Sequence, residues 1–203
     1  MTFRILVVCS GNICRSPMAE QLLRIGLDGV DVSVTSAGTI AWVGEPMDSD
    51  ARAIAERLGV TDAAAHVARR LDAASVRDAD LVLALAREHE GAIVELVPGA
   101  TRSTFTLREF AALAASVSDA DLDQALAATD GLRDREPVDV VLGAAVAAVA
   151  AQRGIAESLA VPDDADVIDP FRRGAAAYAE SAAQLVPAVN AVAALLHRAA
   201  GRM

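Results

Sequence analysis

The segment Phe3–Val8 (FRILVV) is an apolar run rich in β-branched residues, and it ends abruptly in a polar, glycine-containing turn, Cys9–Arg15. A strand without polar alternation is buried on both faces, which points to the centre of a parallel sheet covered by helices. Ser16-Pro17 then opens a helix, with Ser16 as a candidate cap and Pro17 tolerated at its start; Met18, Leu22, Leu23 and Ile25 supply its buried face. The alternation repeats. Val32–Thr35 reads as a second strand leading into a turn at Ser36–Thr39. Pro46 and Asp48 precede a helix that runs to Leu58 and stops at Gly59. Leu81–Leu85 and Arg102–Thr106 read as further strands, each with a helix behind it, Arg87–Val97 and Leu107 to about Ala115. Gly174–Ala200 carries an apolar stripe (Leu185, Val189, Val192, Leu195, Leu196) and reads as a long helix covering the sheet. The expectation is an α/β fold of three layers: a four-stranded parallel sheet, helices on both faces, and a phosphate-binding loop after the first strand.

Residues 116–165 depart from that rhythm. Ser118-x-x-Asp121 marks a helix start, Pro137–Gln152 is an Ala/Val-rich helix, and Val161–Asp166 is a polar loop. No repeat or low-complexity linker separates them from the rest, so residues 1–203 read as one domain with a helical insertion at 116–165. Hydrophobic residues make up 54% of the chain and aromatics only 3%, so Ala, Val, Leu and Ile must build the core. The formal net charge of −10 disfavours nucleic acid or an anionic membrane as a partner, because both attract basic surfaces. A local array of donors can still hold an anion against that field. No stretch reaches the ~20 apolar residues of a membrane span. The N-terminal residues resemble neither a cationic leader nor a cleavage site, and the expectation is a cytoplasmic protein. Two cysteines, Cys9 and Cys14, share one short loop, too close and too solitary for a stapled fold or a zinc site. They point to chemistry, with no metal and no cofactor expected.

That loop is Cys9-Ser10-Gly11-Asn12-Ile13-Cys14-Arg15-Ser16-Pro17, a Cys-x5-Arg-Ser between strand and helix. A loop of this length can curl so that successive backbone N–H groups, from Ser10 through Ser16, face one site, and the helix N-terminus adds its own donors and partial positive charge. Arg15 can set its fork on two phosphate oxygens, and Gly11 suits the backbone angles of such a curl. Cys9 lies at the floor, where the field that binds phosphate also favours thiolate over thiol. A thiolate under a phosphate dianion is placed for in-line attack at phosphorus, giving a cysteinyl-phosphate that water must hydrolyse.

These residues resemble the signature of the low-molecular-weight protein tyrosine phosphatases. The resemblance continues through Ser36-Ala-Gly-Thr39, Trp42, Gly44, Pro46, His66 with Ala68-Arg69, Asp80–Leu85 and Asp169-Pro170, about 150 of the 203 residues. It implies a phosphatase acting on a phosphorylated protein or small phosphomonoester and releasing inorganic phosphate. It also implies that Asp169, on a late loop stiffened by Pro170, is the general acid and then the base. By the same resemblance Ser16 stabilises the Cys9 thiolate, Asn12 holds the loop, and Ser36 and His66 bond to Asn12. Trp42 would form one wall of the substrate cleft and Phe171 the opposite wall.

The chain also departs from the family. Phe171-Arg172 stands where relatives often have two aromatics, which leaves phosphotyrosine preference open, and Leu85-Ala86 stands where many have Met-Asp, removing a polar contact. Cys14 is either a partner that traps oxidised Cys9 as a disulfide or a packed core thiol. Two other functions fit the same loop: a thiol-dependent arsenate reductase, and a non-catalytic phosphoprotein-binding module.

Overall fold

A computed structural model describes residues 2–129, 137–155 and 162–203. Parts of the proposed insertion, 130–136 and 156–161, lie outside the described residues. Four strands form the sheet: β1 (Phe3–Cys9), β2 (Val32–Gly38), β3 (Leu81–Ala84) and β4 (Thr104–Thr106), in the order β2-β1-β3-β4 and all parallel. The sheet is level at its carboxyl edge, with Cys9 opposite Gly38 and Val8 opposite Ala84. Strand order reverses at β1, because the chain crosses first to β2 on one side and then to β3 on the other. Open parallel sheets bind ligands in the crevice at that point.

The alternation of β1 side chains divides the core in two. Ile5 and Val7 join a large cluster with α1 (Arg15–Gly26), α2 (Ser49–Arg57), α5 (Leu107–Ala115) and α8 (Gly174–Ala200). Leu6 and Val8 face the thinner layer of α3 (Ala73–Asp78) and α4 (Arg87–Leu96), among Val76 and Ile93. The three layers expected from the sequence are present. α6 (Asp119–Ala127) packs on α7 (Pro137–Ala151), and α7 packs on α8, which thickens the first layer. Ser118 caps α6 reciprocally with Asp121, as the spacing predicts.

Locally the structure differs from the sequence reading or adds to it. Ser36-Ala37-Gly38 is not a turn but the end of β2, paired through to Cys9. Gly38 is needed there because a Cβ would lie 2.5 Å from the Ser10 carbonyl oxygen and 3.0 Å from Asn12 N. α3 has no sequence periodicity to reveal it: it is 6 residues long and held by Asp72, whose carboxylate accepts from Ser75 N at 2.7 Å. Within the stretch read as a polar loop, Val161–Asp166, residues 162–165 form a short 3-10 turn. By length and composition α8 does qualify as a membrane span, but its stripe of Leu185, Val189, Val192 and Leu196 is buried against α1 and α5. The core helix of a globular layer passes the same test.

Candidate active site

Cys9 ends β1 and Arg15 begins α1, so residues 10–14 curl across the carboxyl edge of the sheet. Asn12, not Gly11, takes the left-handed backbone conformation (φ 56°), which asparagine tolerates better than most residues. Its fully buried side chain holds the curl. Asn12 Nδ2 donates to Ser36 Oγ (2.8 Å) and Ser16 Oγ (2.9 Å), while Oδ1 accepts from Arg69 N (2.9 Å). His66 Nε2 donates to the Asn12 carbonyl (2.7 Å), and Ser36 is braced in turn by Glu20 (2.5 Å). Ser36 and His66 thus both bond to Asn12.

Ser16 does not cap α1: Cys14 occupies the cap position and makes no side-chain cap bond. The hydroxyl instead lies 3.0 Å from Cys9 Sγ. Ser16 Oγ accepts from Asn12 Nδ2 and keeps its own proton, which it can donate to a Cys9 thiolate. Asn12 N–H reaches the same sulfur at 3.3 Å. The Ser16 hydroxyl, the Asn12 N–H and the start of α1 therefore converge on Cys9 Sγ.

Arg15 is 4% exposed and fixed at three points. NH1 donates to the Val167 carbonyl (3.2 Å), and NH2 donates to Ser10 Oγ (3.2 Å) and Asp169 Oδ2 (2.8 Å). The loop bearing Asp169 is tied down on both sides. Val167 N donates to the Leu85 carbonyl (2.8 Å) and Ile168 N to Gln184 Oε1 of α8 (2.9 Å). Asp169 Oδ1 accepts from Phe171 N (3.1 Å), closing a tight turn at Pro170. Tertiary structure thus brings a residue 154 positions after Arg15 onto its guanidinium.

A cleft of about 200 Å³ opens above this group, with Cys9, Ser10, Arg15 and Asp169 at one end. Ile13, Ile40, Trp42 and Phe171 line it as well, with Ile40 and Trp42 exposed at the surface. Trp42 and Phe171 are not opposite walls: their ring centroids are 5.4 Å apart at 69°, an edge-to-face corner. Holding a flat ring between two faces takes about 7 Å, twice the usual carbon contact distance. The Arg172 guanidinium covers that corner, 5.0 Å from the Phe171 centroid and 5.8 Å from that of Trp42. Cys14 is buried, and burial together with the Asp48 charge pushes its thiol up to about 12. Its sulfur lies 3.9 Å from the hydroxyl of the buried Tyr178.

The sequence reading missed His89. It projects from the first turn of α4 and its Nε2 lies 2.8 Å from Ser10 Oγ, supplying a polar contact on the side where Leu85-Ala86 has none. A lone histidine just after a buried strand is the only sign of it in the sequence. Among the described residues no group of three or more His, Cys, Asp or Glu is placed to hold a metal ion.

A family model described as "Low molecular weight phosphotyrosine protein phosphatase" matches residues 4–127. A low-molecular-weight protein-tyrosine-phosphatase of Acinetobacter johnsonii, Ptp, is 40% identical over 103 residues, 51% of this chain and 70% of its own length. Etp of Escherichia coli K12, of the same description, is 45% identical over 94 residues, which is 46% of this chain and 62% of its own length, less than two thirds of it. A protein-arginine-phosphatase of Geobacillus stearothermophilus is 41% identical over 111 residues, 54% of this chain and 72% of its length. Among solved structures, the YwlE arginine phosphatase of that organism superposes with a TM-score of 0.64 at 30% identity, covering 96% of this chain and 93% of the other. Wzb of Vibrio vulnificus, in complex with benzylphosphonate, shares the fold with a TM-score of 0.63 at 23% identity over 96% and 99% of the two chains. With the family model spanning more than half of its length, the chain belongs to the low-molecular-weight phosphotyrosine protein phosphatase family.

Proposed function

We propose that this chain hydrolyses aryl phosphomonoesters of the phosphotyrosine type through a cysteinyl-phosphate on Cys9. One observation carries the reading: a sulfur supplied with donors, a buried arginine and a carboxylate meet at one end of a cleft with an apolar mouth. Phosphate in the loop would take the Arg15 fork and the loop N–H groups, displacing Asp169 from NH2. Cys9 Sγ then attacks phosphorus, forming the S–P bond as the P–O bond to the leaving group breaks, and protonated Asp169 gives that oxygen its proton. Water next attacks phosphorus, Asp169 takes its proton, and the S–P bond breaks to release inorganic phosphate. Donors aimed at the equatorial oxygens lower both barriers.

The mouth favours an aromatic ring over a guanidinium, which bears on the similarity to arginine phosphatases. Ile13, Ile40 and Phe171 offer no side-chain hydrogen-bond acceptor, and the Arg172 guanidinium already lies over the Phe171 and Trp42 rings, where it repels a second cation; the acceptor a guanidinium would meet in this cleft is Asp169, which the hydrolysis needs as its acid. A phosphorylated ring can lie on the Trp42–Phe171 corner, since each ring presents an edge or a face to it.

The test is a panel of p-nitrophenyl phosphate, phosphotyrosyl and phosphoseryl peptides and phosphoarginine, without added thiol. Phosphotyrosine should lead. Cys9→Ser should abolish turnover, and Asp169→Ala should lower kcat by about 10²-fold or more on phosphotyrosine. The loss should be smaller on p-nitrophenyl phosphate, whose leaving oxygen needs the proton less. Full activity of Cys9→Ser, or a preference for phosphoarginine, would overturn the proposal. Arsenate reduction dependent on added thiol, without hydrolysis, would assign the site to the reductase reading.

A further inference from the structure

His89 has no part in the steps above, yet it is 1% exposed and bonded to the phosphate loop. Its Nε2 lies 2.8 Å from Ser10 Oγ and 3.2 Å from Glu88 Oε1, while Nδ1 is buried with no hydrogen-bond partner among the described residues. These neighbours decide which nitrogen carries the proton. A proton on Nδ1 would bury an orphaned N–H and turn a bare lone pair of Nε2 towards the Glu88 carboxylate. A proton on Nε2 serves Ser10 and leaves only a lone pair unmatched, and buried orphaned N–H groups are the rarer defect. Burial, reinforced by the Arg15 charge and opposed by Asp169 and Asp166, pushes His89 down to about 4, so one ring nitrogen stays unprotonated near neutrality.

Ser10 Oγ has two lone pairs and one O–H. Arg15 NH2, a donor only, takes one lone pair at 3.2 Å, and His89 Nε2–H takes the other. The serine proton is left over, and Ser10 lines the cleft beside Cys9 and Arg15. We propose that the Ser10 hydroxyl is a phosphate-binding donor of this chain, and that His89 is the positioning residue that turns its proton towards the bound oxyanion. The inference rests on the reading that phosphate occupies this loop. It adds one side-chain donor to a cradle otherwise made of backbone N–H groups and the Arg15 fork.

Calorimetric titration with inorganic phosphate tests it, on wild type, Ser10→Ala, His89→Phe, His89→Gln and the Ser10→Ala/His89→Phe pair, with KM and kcat on p-nitrophenyl phosphate measured alongside. One hydrogen bond to a charged oxygen corresponds to about tenfold in affinity. Ser10→Ala and His89→Phe should each weaken phosphate binding about tenfold. The pair should be no worse than either alone, because both changes remove the same donor. His89→Gln, whose amide N–H can stand where Nε2–H does, should recover most of the loss. Wild-type affinity in Ser10→Ala, or additive losses in the pair, would overturn the proposal. Should His89→Phe fail to fold, Ser10→Ala decides alone, since it removes one partly exposed oxygen. A wild type that binds phosphate through Ser10 but hydrolyses nothing would end the functional reading and leave this inference standing. Hydrolysis with phosphate affinity indifferent to Ser10 would do the reverse, and a chain that binds no phosphate would end both.

Discussion

At the scale of single residues, the contact between Asp169 Oδ2 and Arg15 NH2 has two consequences. It places the carboxyl beside the phosphate position, and it puts a negative group on a donor that phosphate needs. The Asp169 side chain is 49% exposed, so solvent screens the pair and its worth is about 1 kcal/mol, roughly fivefold in binding. Asp169→Asn should therefore tighten inorganic phosphate by roughly that factor while kcat falls, a divergence visible by titration beside steady-state kinetics. Weaker phosphate binding in this variant would mean that the carboxylate helps to hold the loop and does not compete for Arg15. The residues of the loop were readable in the sequence because their spacing has a purpose. Spacing offers Ser16 as a candidate cap and the resemblance offers it to the Cys9 sulfur, because the same hydroxyl can serve either; the structure has Cys14 at the cap position and Ser16 Oγ 3.0 Å from Cys9 Sγ.

At the scale of elements, the turn after α7 is fastened by Arg153. Its guanidinium lies 4.0 Å from the Phe105 ring centroid, meets Glu109 through Nε (2.8 Å) and NH2 (3.1 Å), and donates to the Thr104 carbonyl (2.7 Å). Glu109 also closes the capping box of α5 with Thr106. One arginine thus ties α7 to β4 and to the start of α5. Arg153→Ala leaves Glu109 facing the half-buried Glu90, whose carboxyl is already raised by burial and by Glu109 itself. The expected cost is about 2 kcal/mol, a fall of roughly 4–8 °C in Tm for a chain of this size. KM on p-nitrophenyl phosphate should stay within about twofold, because Arg153 does not line the cleft. An unchanged melting temperature would make the cluster a surface contact of no consequence. The helix itself was readable from its composition, whereas its attachment was not, since Arg153 and Glu109 are 44 residues apart.

At the scale of the whole molecule, His89 links the cleft to stability across pH. Its folded pKa, near 4, is depressed from the ordinary value of 6.5, chiefly by burial. As pH falls from 6.5 to 4 the unfolded chain takes up a proton that the folded chain refuses. Stability present above 6.5 is therefore lost through that window, by up to about 3 kcal/mol. Urea unfolding at pH 7, 5.5 and 4.5 should show this slope in the wild type and a flatter one in His89→Gln; equal slopes would remove His89 as the cause. The sequence by itself determined the parallel sheet, because Phe3–Cys9 has no polar alternation and must be covered on both faces, and it determined the loop, because Cys9 and Arg15 are local to one another. It determined α8 as well, since a stripe at helical spacing can be buried in only one way. Only the tertiary structure decided that Asp169 bonds to Arg15, that Trp42 and Phe171 form a corner and not two walls, and that His89 reaches Ser10. Local spacing fixes which backbone groups can converge within a few residues. Contacts across 79 to 154 positions depend on how strands and helices stack, and no periodicity in the chain records them.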